Sequence, residues 1–428
     1  MGKKKQTYKV ANLNKFKNNL LEYLRQSKCF CFLDSNDCSY QKSFDFLAAF
    51  QPKNQLLTFK DPFGDLQNMI NSSKDWIFGY LTYDLKNKIE KLNSTNEDRL
   101  AFPDIHFFIP SIVIMVKNKS VDIIYEPSYS SLEIDDIYDQ ICASSFSTES
   151  IPKIKVKPKV DKQDYIRNIN TIKKHLQAGD IYEMNYCQEF YADNIDLDPF
   201  ILFENFNRIS KAPFSSLYRL NDNFCLCASP ERYLKKEGNE ITSQPIKGTM
   251  KRIKNHNLDL ENKNKLLNSA KDISENIMIV DLVRNDLSRI AAKATVNVTE
   301  LASLYSYENV HHLVSTIKCD LDKNYNITDV IKSTFPMGSM TGAPKIRAME
   351  LIDKFEDTLR GIYSGSIGYI SPKEDFDFNV VIRSLLYNKQ NKYLSFMVGG
   401  AITIESEPEL EYQECLVKAQ SILKVLGQ

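Results

Sequence analysis

Two long helical segments set among blocks of strands narrow the possible folds more than any other feature of this chain. "NKLLNSAKDISENIMIVDLVRNDLSRIAA" (264–292) and "EPELEYQECLVKAQSILKVLG" (407–427) read as single long helices. Around them lie successive strand segments. "DNFCLCASPERYLKKEGNEITSQPIKGTMKR" (222–252) reads as several strands with "EGNE" as a turn. "YSGSIGYISPKEDFDFNVVIRSLLYNKQNKYLSFMVGGAIT" (363–403) reads as a three-strand meander. Runs of strands interrupted by long helices predict an α+β fold with antiparallel sheets rather than alternating βαβ units.

The remaining segments fit that frame. Asp161 is a plausible N-cap, apolar residues follow at 165, 166, 169, 172 and 176, and Gly179 supplies a stop, so a helix is expected there. "IYEMNYCQEF" then alternates as a strand. Nearer the N-terminus, "DWIFGYLTYDLKNKIEKL" (75–92) reads as a strand running into a helix, and "SIVIMV" with "SVDIIYEP" as a hairpin. Residues 143–160 are rich in Ser, Pro and Lys and read as a linker or crossing segment. They separate an N-terminal region, 1–142, from residues 161–428, where the sharper motifs lie.

Composition excludes several classes. Lys+Arg and Asp+Glu both number 55 in 428 residues, so no excess of basic charge points to nucleic acid. No apolar run reaches membrane-spanning length. The basic N-terminus has no apolar segment after it, and Gln6 stands where myristoylation needs Ser or Thr. The nine cysteines form no CxxC pair. Cys29/Cys31 and Cys225/Cys227 would share a strand face and read as core thiols in a reducing cytoplasm.

The candidate chemistry begins with two acidic pairs. Asp272 and Glu275, and Glu411 and Glu414, are each three apart, so each pair shares a helix face. One such pair can be a solvated face. Two together can also converge on Mg²⁺, a cation that prefers oxygen ligands. "PMGSMTGAPKIRAMELID" (336–353) is a glycine-rich turn opening onto a helix. Its spacing fails the nucleotide-binding P-loop pattern but leaves an anion-binding loop or an ordinary helix start. His311 and His312 would face opposite sides of a strand, one exposed and one in the core. Arg383 on an apolar strand needs an anion partner. Glu231 between apolar strands would have a raised pKa suited to general-acid work, or would cap a turn. Lys247 in "SQPIKGTMKR" is a surface lysine or something more.

Nine ordered segments together resemble the chorismate-utilising enzymes. They are "GDIYEMNYCQEF", "ASPERY", "QPIKGTMKR", "DISENIMIVDLVRNDLSRIA", "HHLVSTI", "PMGSMTGAPKIRAMELID", "YSGSIGYIS", "VVIRSL" and "VGGAITIESEPELEYQECLVKA". "GYLTYDLKNKIEKL" resembles the aminodeoxychorismate synthase component I branch. The resemblance implies large antiparallel sheets packed face to face, helices outside, and the site between. It implies Glu275 and Glu414 as Mg²⁺ ligands beside Asp272 and Glu411, the metal gripping the substrate's ring carboxylate. Glu231 would be the general acid for the departing C4 hydroxyl. Arg383, Tyr363 and the backbone of Gly399 and Gly400 would hold the enolpyruvyl carboxylate. Lys418 would lie near the metal, His312 would be the active-site histidine, and Ser339 and Thr341 would line the loop on the substrate.

Within that family the Lys247 position separates subgroups. Pro-Ile-Ala-Gly-Thr marks anthranilate synthesis and Pro-Ile-Lys-Gly-Thr marks aminodeoxychorismate synthesis; this chain has the lysine. The resemblance implies that Lys247 attacks C2 as the C4 hydroxyl leaves, and that ammonia from a separate glutamine amidotransferase subunit then adds at C4. A neutral lysine is required, which burial away from carboxylates would favour. Two departures stand out. Water-using members have a lysine base where this chain has Glu183, and amine-using members usually have glutamine; Glu183 argues against isochorismate synthesis and leaves its own role open. Ala401 replaces a glycine. The rival expectations are anthranilate synthesis, a non-catalytic binding subunit, and a phosphotransferase already weakened by the failed P-loop.

Overall fold

Side chains along the strand Cys29–Asp34 alternate between two cores, as the two-residue period of a strand requires. Phe30 and Phe32 enter one apolar cluster; Cys29, Cys31 and Leu33 enter the other. The strand Asn223–Ser229 divides in the same way, with Phe224 and Leu226 on one side and Cys225 and Cys227 on the other. These cysteines are buried and free, as expected of core thiols. The computed structural model describes residues 2–38, 42–57, 60–147 and 151–428.

Among the described residues the named strands all pair antiparallel, in one hydrogen-bonded network that forms two layers. The first layer runs Lys4–Lys9, Ser120–Tyr125, Ile105–Lys117, Phe46–Leu56, Cys29–Asp34, Phe214–Leu220, Asn223–Ser229, Ser384–Asn388, Tyr393–Ile402, Glu183–Ala192. The second runs Ile77–Leu81, Ser366–Ile370, Phe376–Asn379, Arg232–Glu237, Glu240–Gln244, Val310–Asp320, Asn297–Ser306. The long strand Ile105–Lys117 joins them, because its start also pairs with Ile77–Leu81. Helices that include Leu13–Leu24, Lys162–Gln177 and Pro408–Val425 cover the first layer. Pro62–Ser73, Ala270–Ser288 and Ile327–Thr334 pack into the other core. The expected antiparallel α+β architecture with helices outside is what is found.

Several local expectations need correction. The segment 264–292 is not one helix. Ser269 accepts a hydrogen bond from the Asp272 amide and caps a new helix, Ala270–Ser288, after His256–Leu267 ends. The segment 363–403 holds four strands, two in each layer, not a three-strand meander. The chain changes layers at 380–383, and Arg383 lies in that break with φ of 51° rather than within a strand. After Ile77–Leu81 comes a short 3₁₀ turn, Tyr83–Lys88. Asp161 caps the helix Lys162–Gln177 as read from sequence. Of the crossing segment, 148–150 lie outside the described residues; Ile154 is buried and Lys157–Pro158 pairs with Glu183–Ala192.

Candidate active site

Lys247 lies on the strand Ile246–Lys251, which pairs with Val310–Asp320 through a register shift between Ile246 and Thr249. Gly248 makes the shift possible. Its φ is +89°, and an added Cβ would lie 3.1 Å from the Cβ of Asp272. Asn276 holds the turn from the other side, its amide donating to the carbonyls of Lys247 and Leu313. Sequence reasoning missed Asn276; a polar residue one place after Glu275, in an otherwise apolar stretch, was the available signal.

The Lys247 side chain is buried, and its Nζ donates to Glu183 Oε1 at 2.6 Å. This overturns the expectation of a lysine kept from carboxylates. Burial lowers its pKa, but the charges of Glu183, Glu275 and Glu231 outweigh that and hold it above the ordinary lysine value. The resting lysine is an ammonium.

Glu231 directly precedes the strand Arg232–Glu237 and is buried. Its Oε1 accepts the Ser339 hydroxyl at 2.6 Å. Burial pushes its pKa up to about 7, against the lowering effects of the Ser339 hydrogen bond and the Lys247 charge. Ser339 therefore aims at the carboxyl of Glu231. Thr341 closes its own turn, donating to the Met337 carbonyl at 3.1 Å, so its hydroxyl is engaged in the loop. A buried pair missed from the sequence anchors this loop: Arg360 binds Glu356 at 2.6 Å and reaches the carbonyls of Met340 and Asn185. Lys345, the residue of the failed P-loop pattern, pairs with Asp286.

His311 and His312 are both buried, which corrects the expectation that one is exposed. His311 contacts Asp259 and Ser306; His312 Nδ1 lies 2.8 Å from the Thr249 hydroxyl. Burial, then the nearby Arg383 charge, lowers the His312 pKa to about 3, so it is a neutral imidazole. Among the described residues Arg383 forms no ion pair, although it lies near Tyr363 and Glu414. Its guanidinium is left for an anion that the protein does not supply. Tyr363 is buried with its hydroxyl 3.6 Å from the Cys187 thiol.

The acidic pairs meet across two helices. Lys271 Nζ lies 3.1 Å from Glu411 and 3.8 Å from Glu275, and Lys418 lies 2.7 Å from Glu414 and 2.8 Å from the Gly399 carbonyl. Glu275 Oε1 and Glu411 Oε2 are buried without hydrogen-bond partners. Burial raises the Glu275 pKa to about 7, whereas the Lys418 charge lowers that of Glu414. An added Cβ on Gly400 would lie 3.2 Å from Glu411 Oε2 and 3.5 Å from Glu414 Oε1. Bare backbone at Gly400 thus lets the carboxylates approach the strand. Asp272 stands apart, against Gly248. Among the described residues no three acidic, histidine or cysteine groups form a ready-made metal cluster. Two orphaned carboxylate oxygens, all-oxygen donors and the space at Gly400 nonetheless fit a hard cation that keeps several waters.

A family model described as chorismate binding enzyme matches residues 28–424. The chain belongs to the chorismate binding enzyme family. It is 36% identical over 350 residues to aminodeoxychorismate synthase component 1 of Salmonella typhimurium, covering 81% of this chain and 76% of that one. The Bacillus subtilis protein of the same name is 29% identical over 360 residues, with the same coverage. Among solved structures, anthranilate synthase component I from Streptococcus pneumoniae aligns with TM-score 0.78 and 25% identity, over 88% of this chain and 91% of that one. The menaquinone-specific isochorismate synthase of Escherichia coli aligns with TM-score 0.77 at 16% identity, covering 100% of this chain and 95% of the other, a likeness of fold alone. Nothing in the described residues forms a helix long and apolar enough to cross a membrane.

Proposed function

We propose that this chorismate binding enzyme aminates chorismate at C4 to give 4-amino-4-deoxychorismate, the precursor of 4-aminobenzoate and folate. The observation that carries this reading is Lys247, buried with Glu231 and Glu275 near its ammonium and Glu183 bonded to it. Anthranilate synthesis, which adds nitrogen at C2, needs no amine of the protein at that position.

In this reading Lys247 attacks C2 of the ring. Glu231, protonated near neutral pH, gives its proton to the C4 hydroxyl, because hydroxide is a poor leaving group. Arg383 pairs with a substrate carboxylate, and Tyr363 lies beside it. The neutral His312 orders the strand behind the substrate through Thr249. Glu275, Glu411 and Glu414 would hold Mg²⁺, with Asp272 nearest the Gly248 turn and Lys418 steadying Glu414. When bound, the ion would neutralise the ring carboxylate. Ammonia would come from a separate glutamine amidotransferase subunit in a heterodimer, and free cysteines fit a cytoplasmic enzyme.

The test is to incubate the protein with chorismate, Mg²⁺ and an ammonium salt. The product is identified by chromatography with and without a 4-amino-4-deoxychorismate lyase. The expected product yields 4-aminobenzoate only when the lyase is present. Direct formation of anthranilate would overturn the reading, and no consumption of chorismate would favour a binding subunit.

A further inference from the structure

Buried carboxylates on the strand Glu183–Ala192 are treated very differently. Glu189 accepts from Thr358, Tyr393 and Ser395, so its oxygens are fixed in a hydrogen-bonded network. Glu183, on the same face, has one side-chain partner, the Nζ of Lys247 at 2.6 Å. Its Oε2 is buried and has no hydrogen-bond partner, so nothing in the protein competes for its lone pairs. A carboxylate meant only to fix a strand would be satisfied as Glu189 is. From this contrast we infer that Glu183 is a catalytic base that takes the proton of Lys247 before the lysine reacts and returns it afterwards.

The inference rests on Lys247 as the nucleophile. A lysine held as an ammonium has no free electron pair, so a proton must leave before a bond to carbon can form. The other acidic groups facing Nζ are Glu231 and Glu275. Glu231 is engaged by Ser339 and must keep its proton for the leaving group. Glu275 faces Lys271 across the acidic pairs. Glu183 alone is in hydrogen-bond contact with Nζ among the described residues.

The steps balance. An N–H bond of Lys247 breaks and its proton passes to Glu183. The freed pair forms the bond from Nζ to C2, the two ring double bonds shift, and the C4–O bond breaks as Glu231 gives its proton, releasing water. Ammonia then bonds to C4, the double bonds shift back, and the C2–N bond breaks with its electrons returning to the lysine. The neutral lysine recovers its proton from Glu183, and the new C4 ammonium gives one to Glu231. The sum is chorismate plus ammonia giving aminodeoxychorismate plus water.

Glu183→Gln tests this, and it should fold, because amine-using relatives usually carry glutamine there. Its kcat should fall about a hundred-fold or more near neutral pH, in the range for loss of a positioned base. Its log rate should also climb by about one unit per pH unit, because the lysine must now lose its proton to solvent, whereas the parent enzyme stays near a plateau. Glu183→Asp keeps a carboxylate and should restore the flat profile at a reduced rate. Lys247→Ala, measured in parallel, separates the two ideas. An active Lys247→Ala enzyme would remove the nucleophile itself. An inactive Lys247→Ala enzyme beside a Glu183→Gln enzyme of parental rate and pH profile would overturn only the role of Glu183.

Discussion

The two charged clusters of this site are finished to different degrees. Around Lys247 the contacts are closed: the ammonium meets Glu183, Ser339 meets Glu231, and Asn276 fixes the backbone beneath. Between the helices Ala270–Ser288 and Pro408–Val425, two buried carboxylate oxygens stay unpaired, and flexible lysines supply the only positive charge. Burying an unpaired carboxylate is unfavourable, so the second cluster makes physical sense only with a further cation. The difference teaches that the protein alone can set up the reacting groups, while the acidic pairs await something from solution.

The largest effect should come from breaking the closed cluster. Lys247→Ala should lower C4 amination by about a thousand-fold or more, as when a nucleophile is removed; single-turnover assays with ammonium salts would measure it. It should also destabilise the fold by about 3–5 kcal/mol, because Glu183, 1% exposed, is left as an unpaired buried charge. Lys247→Met with Glu183→Gln should recover most of that loss in denaturant unfolding. Unchanged stability of the single variant would mean that the pair is not buried as described. Next in size, Glu231→Gln should cost about 10²–10⁴ in kcat. The acid acts in its protonated form, so the rate present below about pH 7 should decline as pH rises through that value. A pH profile of the variant should lack this limb.

How far these clusters could be read from sequence follows the same division. The acidic pairs were legible because helical spacing puts positions three apart on one face, and Glu231 because a carboxyl between apolar strands is easily buried. Alternation likewise gave the faces of Cys29/Cys31 and Cys225/Cys227. The partner of Lys247 was not legible. Glu183 is 64 residues away and reaches the lysine only through tertiary packing that no local pattern encodes. Arg383 was misplaced on a strand for a related reason: its positive φ arises where the chain crosses between layers. The Arg360–Glu356 pair sits at helical spacing on a turn after the helix Lys345–Phe355, where nothing local announced its burial.

The open cluster should respond through metal rather than through folding. Glu275→Gln and Glu414→Gln should each weaken Mg²⁺ binding, followed by calorimetry, by more than about tenfold, since even residues behind metal ligands cost 10–100-fold. Full retention of binding in both would remove the metal assignment and leave the orphaned oxygens unexplained.

The smallest and most discriminating change lies at the adjacent glycines. Gly399 and Gly400 share a strand, yet they face different neighbours. A Cβ at Gly399 would lie 2.2 Å from the Tyr186 carbonyl oxygen, which is backbone and cannot give way, so Gly399→Ala should destabilise the fold by about 1–3 kcal/mol. A Cβ at Gly400 meets only the ends of Glu411, Glu414 and Lys418, the nearest at 3.2 Å. These side chains can shift by a few tenths of an ångström at little cost to the fold. If they hold a cation, that shift moves its ligands. Gly400→Ala should therefore keep the parental unfolding midpoint while lowering Mg²⁺ affinity by about fivefold, roughly 1 kcal/mol. Equal Mg²⁺ affinity in the parent and the alanine variant would mean that the space at Gly400 serves packing, and would erase the distinction drawn between the two clusters.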